Sequence, residues 1–123
     1  MSVILSISEN VSLNYLVGTV LSPKYQIVSA KNVYEAVDIV RGKSNIHFII
    51  IDLDYNTKES FDFISHINTS SLYKMHIIAL YSSKYVHLED RIRGGCYRCF
   101  EKPFNPLHML QTIDGYYKNL IIA

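Results

Sequence analysis

With 123 residues the chain has room for one core of ordinary size and not for two. Hydrophobic residues make up 49% and charged residues 19%, which excludes a disordered chain. Twelve basic against 11 acidic residues show neither the basic excess of a nucleic-acid binder nor an acidic tail. Two cysteines, Cys96 and Cys99, are too few for a secreted disulfide scaffold and favour the cytosol. The opening MSVILSISEN has no basic n-region, and no apolar run approaches the ~18 residues of a membrane span.

Short apolar runs alternate with amphipathic stretches along the whole sequence. The first run, Val3 to Ile7, is strand-sized and is followed by a helical stripe of Leu13, Leu16, Val17, Val20 and Leu21, with Asn10 or Ser12 as cap and Pro23 enforcing the end. Tyr25 to Val28 reads as the second strand. Asn32 then caps a helix carrying Val33, Ala36, Val37 and Val40, which Gly42 is placed to terminate. Ile46 to Ile51 and Met75 to Leu80 are nearly continuous apolar runs, the pattern of central parallel strands covered on both faces. A third helix, about Lys58 to Asn68, lies between them with Phe61, Ile64 and Ile67 on one stripe. A weaker fourth, about Lys84 to Arg93, is anchored by Leu88 and Ile92 and stopped by Gly94-Gly95. The fifth strand is Tyr97 to Phe100. Asn105-Pro106 then opens a fifth helix with Leu107, Leu110, Ile113 and Leu120 on its apolar side.

Five strand–helix units predict a single α/β domain over residues 1–123, a three-layer doubly wound sheet of five parallel strands. Such sheets bind ligands outside the carboxyl ends of their strands at a topological switch point. The segments to inspect are Ser8 to Asn10, Asp52 to Asn56, Tyr81 to Ser83 and Glu101 to Phe104. They bring two strand-end carboxylates, Glu9 and Asp52, to one edge, together with the hydroxyls of Tyr81 and Ser82 and the ammonium of Lys102. Oxygen ligands of this kind suit Mg²⁺. The set is that of phosphoryl transfer: a carboxylate nucleophile, a hard cation, an ammonium and a hydroxyl to stabilise the transferred oxygens.

The run Phe48-Ile49-Ile50-Ile51-Asp52-Leu53, with Lys102-Pro103-Phe104 ending the fifth strand, resembles the response-regulator receiver domain over essentially the whole chain. That resemblance implies the flavodoxin-like strand order 2-1-3-4-5. It also implies Asp52 as phosphoacceptor, Glu9 as a member of the acidic metal-binding pair, and the backbone carbonyl of Asp54 as a main-chain metal ligand. Lys102 becomes the phosphoryl contact, with a cis peptide before Pro103. The implied phosphodonor is a histidine kinase or phosphotransfer protein. Output would pass to a protein partner through the face of the fourth helix, fifth strand and fifth helix, where a second copy could also bind; nucleic acid and membrane are not implied, nor is an output domain or a conventional enzyme activity.

Several residues depart from the receiver pattern. Ser8 stands where the first acidic residue is usual, and Tyr81 occupies the switch hydroxyl position unless Ser82 takes it. Cys99 replaces the switch aromatic, and Asn56 and Ser60 lie near the usual proline and glycine. These departures support a second reading, a degenerate receiver that binds partners without phosphorylation. A flavin-binding relative is a third, weakened by the lack of a Gly-rich loop after the first strand. Cys96-Tyr97-Arg98-Cys99 has the spacing of a redox or zinc motif. Placed on a strand, residues three apart face opposite sides, and the five histidines (47, 66, 76, 87 and 108) are too scattered to complete a zinc site. Tyr116-Tyr117 and the apolar closing stretch Leu120-Ile121-Ile122-Ala123 are candidates for an interface or for ordinary packing.

Overall fold

A computed structural model of the chain describes residues 2–43, 45–70 and 72–122, the last three by backbone only. Five strands, β1 (Val3–Ile7), β2 (Gln26–Ala30), β3 (Ile46–Asp52), β4 (His76–Tyr81) and β5 (Arg98–Glu101), form one all-parallel sheet in the order β2-β1-β3-β4-β5. The helices are α1 (Val11–Leu21), α2 (Val33–Gly42), α3 (Thr57–Thr69), α4 (Glu89–Gly95) and α5 (Pro106–Ile122). Alternate strand residues feed two cores. Ile4, Phe48, Ile50, Ile78 and Leu80 pack with Val17 and Leu21 of α1 and Met109 and Ile113 of α5. On the other face Leu5, Ile49, Ile51, Ile77 and Ala79 pack with apolar side chains of α2 and α3 and with Ile92 of α4. β3 is buried at six of its seven positions, all but His47, in keeping with the nearly continuous apolar run Ile46–Ile51.

Local chemistry sets the helix starts. Asn10 Oδ1 accepts the Leu13 amide and Asn32 Oδ1 accepts the Glu35 amide, while the Glu35 carboxylate returns to the Lys31 amide. β2 begins one residue later than the apolar run suggests and extends to Ala30. The Tyr25 amide still bonds to the Leu21 carbonyl in the turn closing α1, and the Tyr25 hydroxyl is held by Asp114 of α5. The fourth helical stretch splits. Ser83–Leu88 is a 3-10 helix, and α4 continues through Gly94 and Gly95 to a cap at Cys96 instead of stopping before them. A Cβ on Gly95 would lie 3.1 Å from Ile64 Cγ2, so glycine here allows close approach of α4 to α3.

Cys96 precedes β5, so the two thiols are not residues of one strand. Both pack against the α2–α4 core, and burial, then the neighbouring Cys99, pushes the Cys96 thiol up to about 12. Tyr116 and Tyr117 turn inward, with Tyr116 at 5.2 Å and Tyr117 at 5.9 Å from the Phe48 ring. The side chains of Leu120-Ile121-Ile122 and all of Ala123 lie outside the described residues. Among the described residues no helix is long and apolar enough to cross a membrane.

Candidate functional site

The winding places the chain reversal between β1 and β3, and the segments leaving these two strands meet at the carboxyl edge. Asp52 is the last residue of β3, in register with Leu80 of β4, and its side chain is fully buried. Both of its oxygens are supplied with donors, as a buried carboxyl requires. Oδ2 accepts the Ser8 hydroxyl at 2.7 Å. Oδ1 accepts the Lys102 ammonium at 2.7 Å and the Asp54 amide at 3.1 Å.

Lys102 follows β5, where its amide is fixed by the Tyr81 carbonyl at 2.7 Å and its peptide to Pro103 is cis. Its ammonium is shared: a second bond of 2.8 Å runs to Asp54 Oδ2, while Asp54 Oδ1 accepts the Ser82 amide at 2.9 Å. Burial alone would raise the Asp54 carboxyl. The hydrogen bonds from Lys102 and Ser82 outweigh it and hold the group below its ordinary value. For Lys102 burial works toward neutrality, and the two carboxylates reverse it and raise its pKa.

Glu9 lies at the same edge but is exposed, and its Oε1 accepts the Asn56 side-chain amide at 3.0 Å. Asn56 has φ 49 and ψ 52, the left-handed conformation that asparagine tolerates better than most residues, and it sits at the start of α3. Ser8 supports this corner twice, donating to Asp52 through its hydroxyl and accepting the Asn10 amide at 2.9 Å. Asn14 braces it from α1, giving its amide to the Ser8 and Ala30 carbonyls and accepting the Ser6 hydroxyl.

The two switch-position candidates separate. Tyr81 is 3% exposed in the α2–α4 core, near Cys99, and it reaches the site only through the backbone carbonyl that holds Lys102. Ser82 contributes its amide to Asp54. Its hydroxyl is buried without a hydrogen-bond partner among the described residues. Asp52, Asp54, Ser82 and Lys102 thus converge through direct hydrogen bonds, whereas Glu9 borders the same small space beside Asp52 and turns its carboxylate to Asn56. Sequence reasoning used Asp54 only for its carbonyl and missed the carboxylate. The signal was a second acid two residues past Asp52, near enough to share the same lysine.

The donor set at the edge is oxygen only, which fits a hard cation such as Mg²⁺ that needs one or two carboxylates beside water and phosphate. The space bordered by Ser8, Glu9, Asp52 and Asn56 is about 10 Å³, the room of one water. Among the described residues no three of His, Cys, Asp and Glu gather into a ready-made metal cage.

No protein-family model matches the sequence, and no curated protein does. Solved structures match its fold closely. A response regulator receiver domain protein from Clostridium thermocellum superposes with a TM-score of 0.83 at 17% identity, over 98% of this chain and 99% of that one. The chemotaxis protein CheY4 of Vibrio cholerae gives 0.80 at 22% identity, over 93% and 97%. A response regulator from Thermotoga maritima gives 0.78 at 19%, over 94% and 96%. The chain has the fold of response regulator receiver domains, with their five-stranded order 2-1-3-4-5.

Proposed function

We propose that the chain is a cytoplasmic receiver domain that accepts a phosphoryl group on Asp52 and signals through a protein partner. The observation that carries this reading is the Lys102 ammonium 2.7 Å from a buried Asp52 carboxylate at the carboxyl edge of the sheet. In the reaction an Asp52 oxygen attacks phosphorus, the bond from phosphorus to the donor nitrogen of a phosphohistidine breaks with its electron pair going to that nitrogen, and a neutral imidazole leaves, keeping the proton already held on its other ring nitrogen. Lys102 offsets the charge gathering on the phosphoryl oxygens, with the Ser82 amide and hydroxyl beside it. Glu9, Asp52 and the Asp54 carbonyl would hold Mg²⁺, which when bound neutralises charge between the carboxylates and the incoming group.

The rim of the site supports a protein donor. Val11 and Tyr15 at the start of α1 are 76% and 75% exposed, and Leu107 at the start of α5 is 57% exposed. Output would pass through the face of α4, β5 and α5, to a partner or a second copy, by a shift between two conformations. The chemistry is confined to the chain's own Asp52, so this is not a conventional enzyme. Incubation with Mg²⁺ and acetyl phosphate followed by intact-mass measurement tests the reading. One added phosphoryl, lost in Asp52→Asn, is the expected result; no gain at millimolar Mg²⁺ would reduce the fold to a binding scaffold.

A further inference from the structure

The donors expected to greet a phosphoryl group are already taken. Lys102 is shared between Asp52 and Asp54, and the Ser82 amide is bonded to Asp54 Oδ1. We propose that the Asp54 carboxylate is a resident anion seated on the groups that would bind the phosphoryl oxygens, so that phosphoryl transfer to Asp52 requires Asp54 to leave them. This rests on the receiver reading above and adds a restraint that the reading does not contain.

Three observations carry it. An ammonium and a main-chain amide converging on two oxygens are the donor types that hold phosphate. Asp54 fills both, at 2.8 and 2.9 Å, with its side chain 15% exposed. A carboxylate has two oxygens where a phosphoryl group has three, and the Ser82 hydroxyl, on the residue whose amide Asp54 engages, is buried beside that carboxylate without a hydrogen bond of good geometry, a donor that a third oxygen would meet. Finally, Asp52 and Asp54 already place two negative charges on one ammonium. Phosphorylation replaces the single charge of Asp52 with the double charge of its acyl phosphate, and the added negative charge opposes Asp54 in its present position. The Asp54 amide bond to Asp52 Oδ1 leaves the side chain free to swing out while the backbone stays tethered.

The opposite role is equally definite: if Asp54 serves to hold Lys102 in its working position, removing the carboxylate slows transfer. The full chain is compared with Asp54→Ala and with Asp54→Asn, which keeps an acceptor for the Ser82 amide and so guards against loss of folding. Two readouts separate the questions. The first is the Ser82 amide resonance during titration with inorganic phosphate, without metal or phosphodonor. The second is the rate of phosphoryl gain from acetyl phosphate with Mg²⁺.

The expected result is phosphate binding about tenfold tighter in both variants, as loss of one charge-assisted competitor implies, abolished by adding Lys102→Ala, with phosphoryl gain faster by a similar factor. Equal phosphate binding in all three proteins, or slower phosphoryl gain in both variants, overturns the proposal while the phosphoacceptor reading stands. Tighter phosphate binding in proteins that never gain a phosphoryl keeps the resident anion and removes the phosphoacceptor.

Discussion

Ser8 and Asp52 are joined by a 2.7 Å hydrogen bond between two buried side chains, the hydroxyl donating to carboxylate Oδ2. A serine thus stabilises the ionised Asp52 without adding charge, where a second carboxylate would repel it unless a cation intervened. Ser8→Asp is therefore expected to lower stability by about 1–3 kcal/mol in the presence of a chelator and to recover that loss as Mg²⁺ is added. Mg²⁺ affinity should rise about tenfold or more, since a two-carboxylate site gains a third oxygen ligand of full charge. Thermal unfolding with and without Mg²⁺ and a tyrosine-fluorescence titration measure both. Unchanged metal affinity would mean that Ser8 does not border the cation site.

Tyr81 and Cys99 lie on adjacent strands and pack against one core. The large side chain stands on β4 and the small one on β5, so the pair fills its volume jointly. Tyr81→Thr should leave a cavity and cost about 2–4 kcal/mol. Cys99→Tyr, adding bulk to a filled core, should cost about 1–3 kcal/mol. The double variant should lose less than the sum, by about 0.5–3 kcal/mol of coupling, in urea unfolding. Additive losses would show that the two positions do not share space.

The fold was readable because its signals are redundant: the nearly continuous Ile46–Ile51 run, short and rich in isoleucine, marks a strand covered on both faces, and Asn105-Pro106 marks a helix start. Elements with one weak signal were displaced. Tyr25 looks like a strand residue by propensity, yet its hydroxyl is drawn to Asp114 and its amide to the α1 turn. Gly94-Gly95 reads as a helix stop, yet both residues are helical, and the second of them lies close against Ile64. At the site, strand-end placement made Asp52 and Lys102 visible. Asp54 sits in the turn after β3, where no periodicity says which way a side chain goes, and its bonds to Lys102 and Ser82 come from parts of the chain 48 and 28 residues away.

Asn56 combines a left-handed backbone with a side-chain bond to Glu9, and substitution separates these two contributions. Asn56→Ala should cost about 1–2 kcal/mol, because alanine is strained in that conformation. Asn56→Gly relieves the strain and should unfold within about 0.5 kcal/mol of the parent, although it frees Glu9 equally. If alanine and glycine prove equally destabilising, the side-chain bond and not the backbone is what asparagine supplies. Urea unfolding of the two variants decides between them.

His76 gives the fold a pH dependence separate from that of the acidic site. Its ring packs among Tyr116, Tyr97 and Phe48, with centroids 4.5, 5.2 and 5.4 Å away. Burial, and then the charge of His47, hold its pKa below the ordinary histidine value. The unfolded chain therefore takes up a proton at a pH where the folded chain does not. The stability contributed by neutral His76 is complete above about pH 6.5 and is lost as the pH falls toward the lower folded value. Asp54, also depressed, loses its contribution only in the more acidic range below the ordinary carboxylate value, so the two slopes occupy different windows. His76→Phe preserves an aromatic ring in the cluster and removes the proton site. Urea midpoints measured between pH 7.5 and pH 5 should fall less steeply in this variant than in the parent. Identical slopes would assign the loss to other groups.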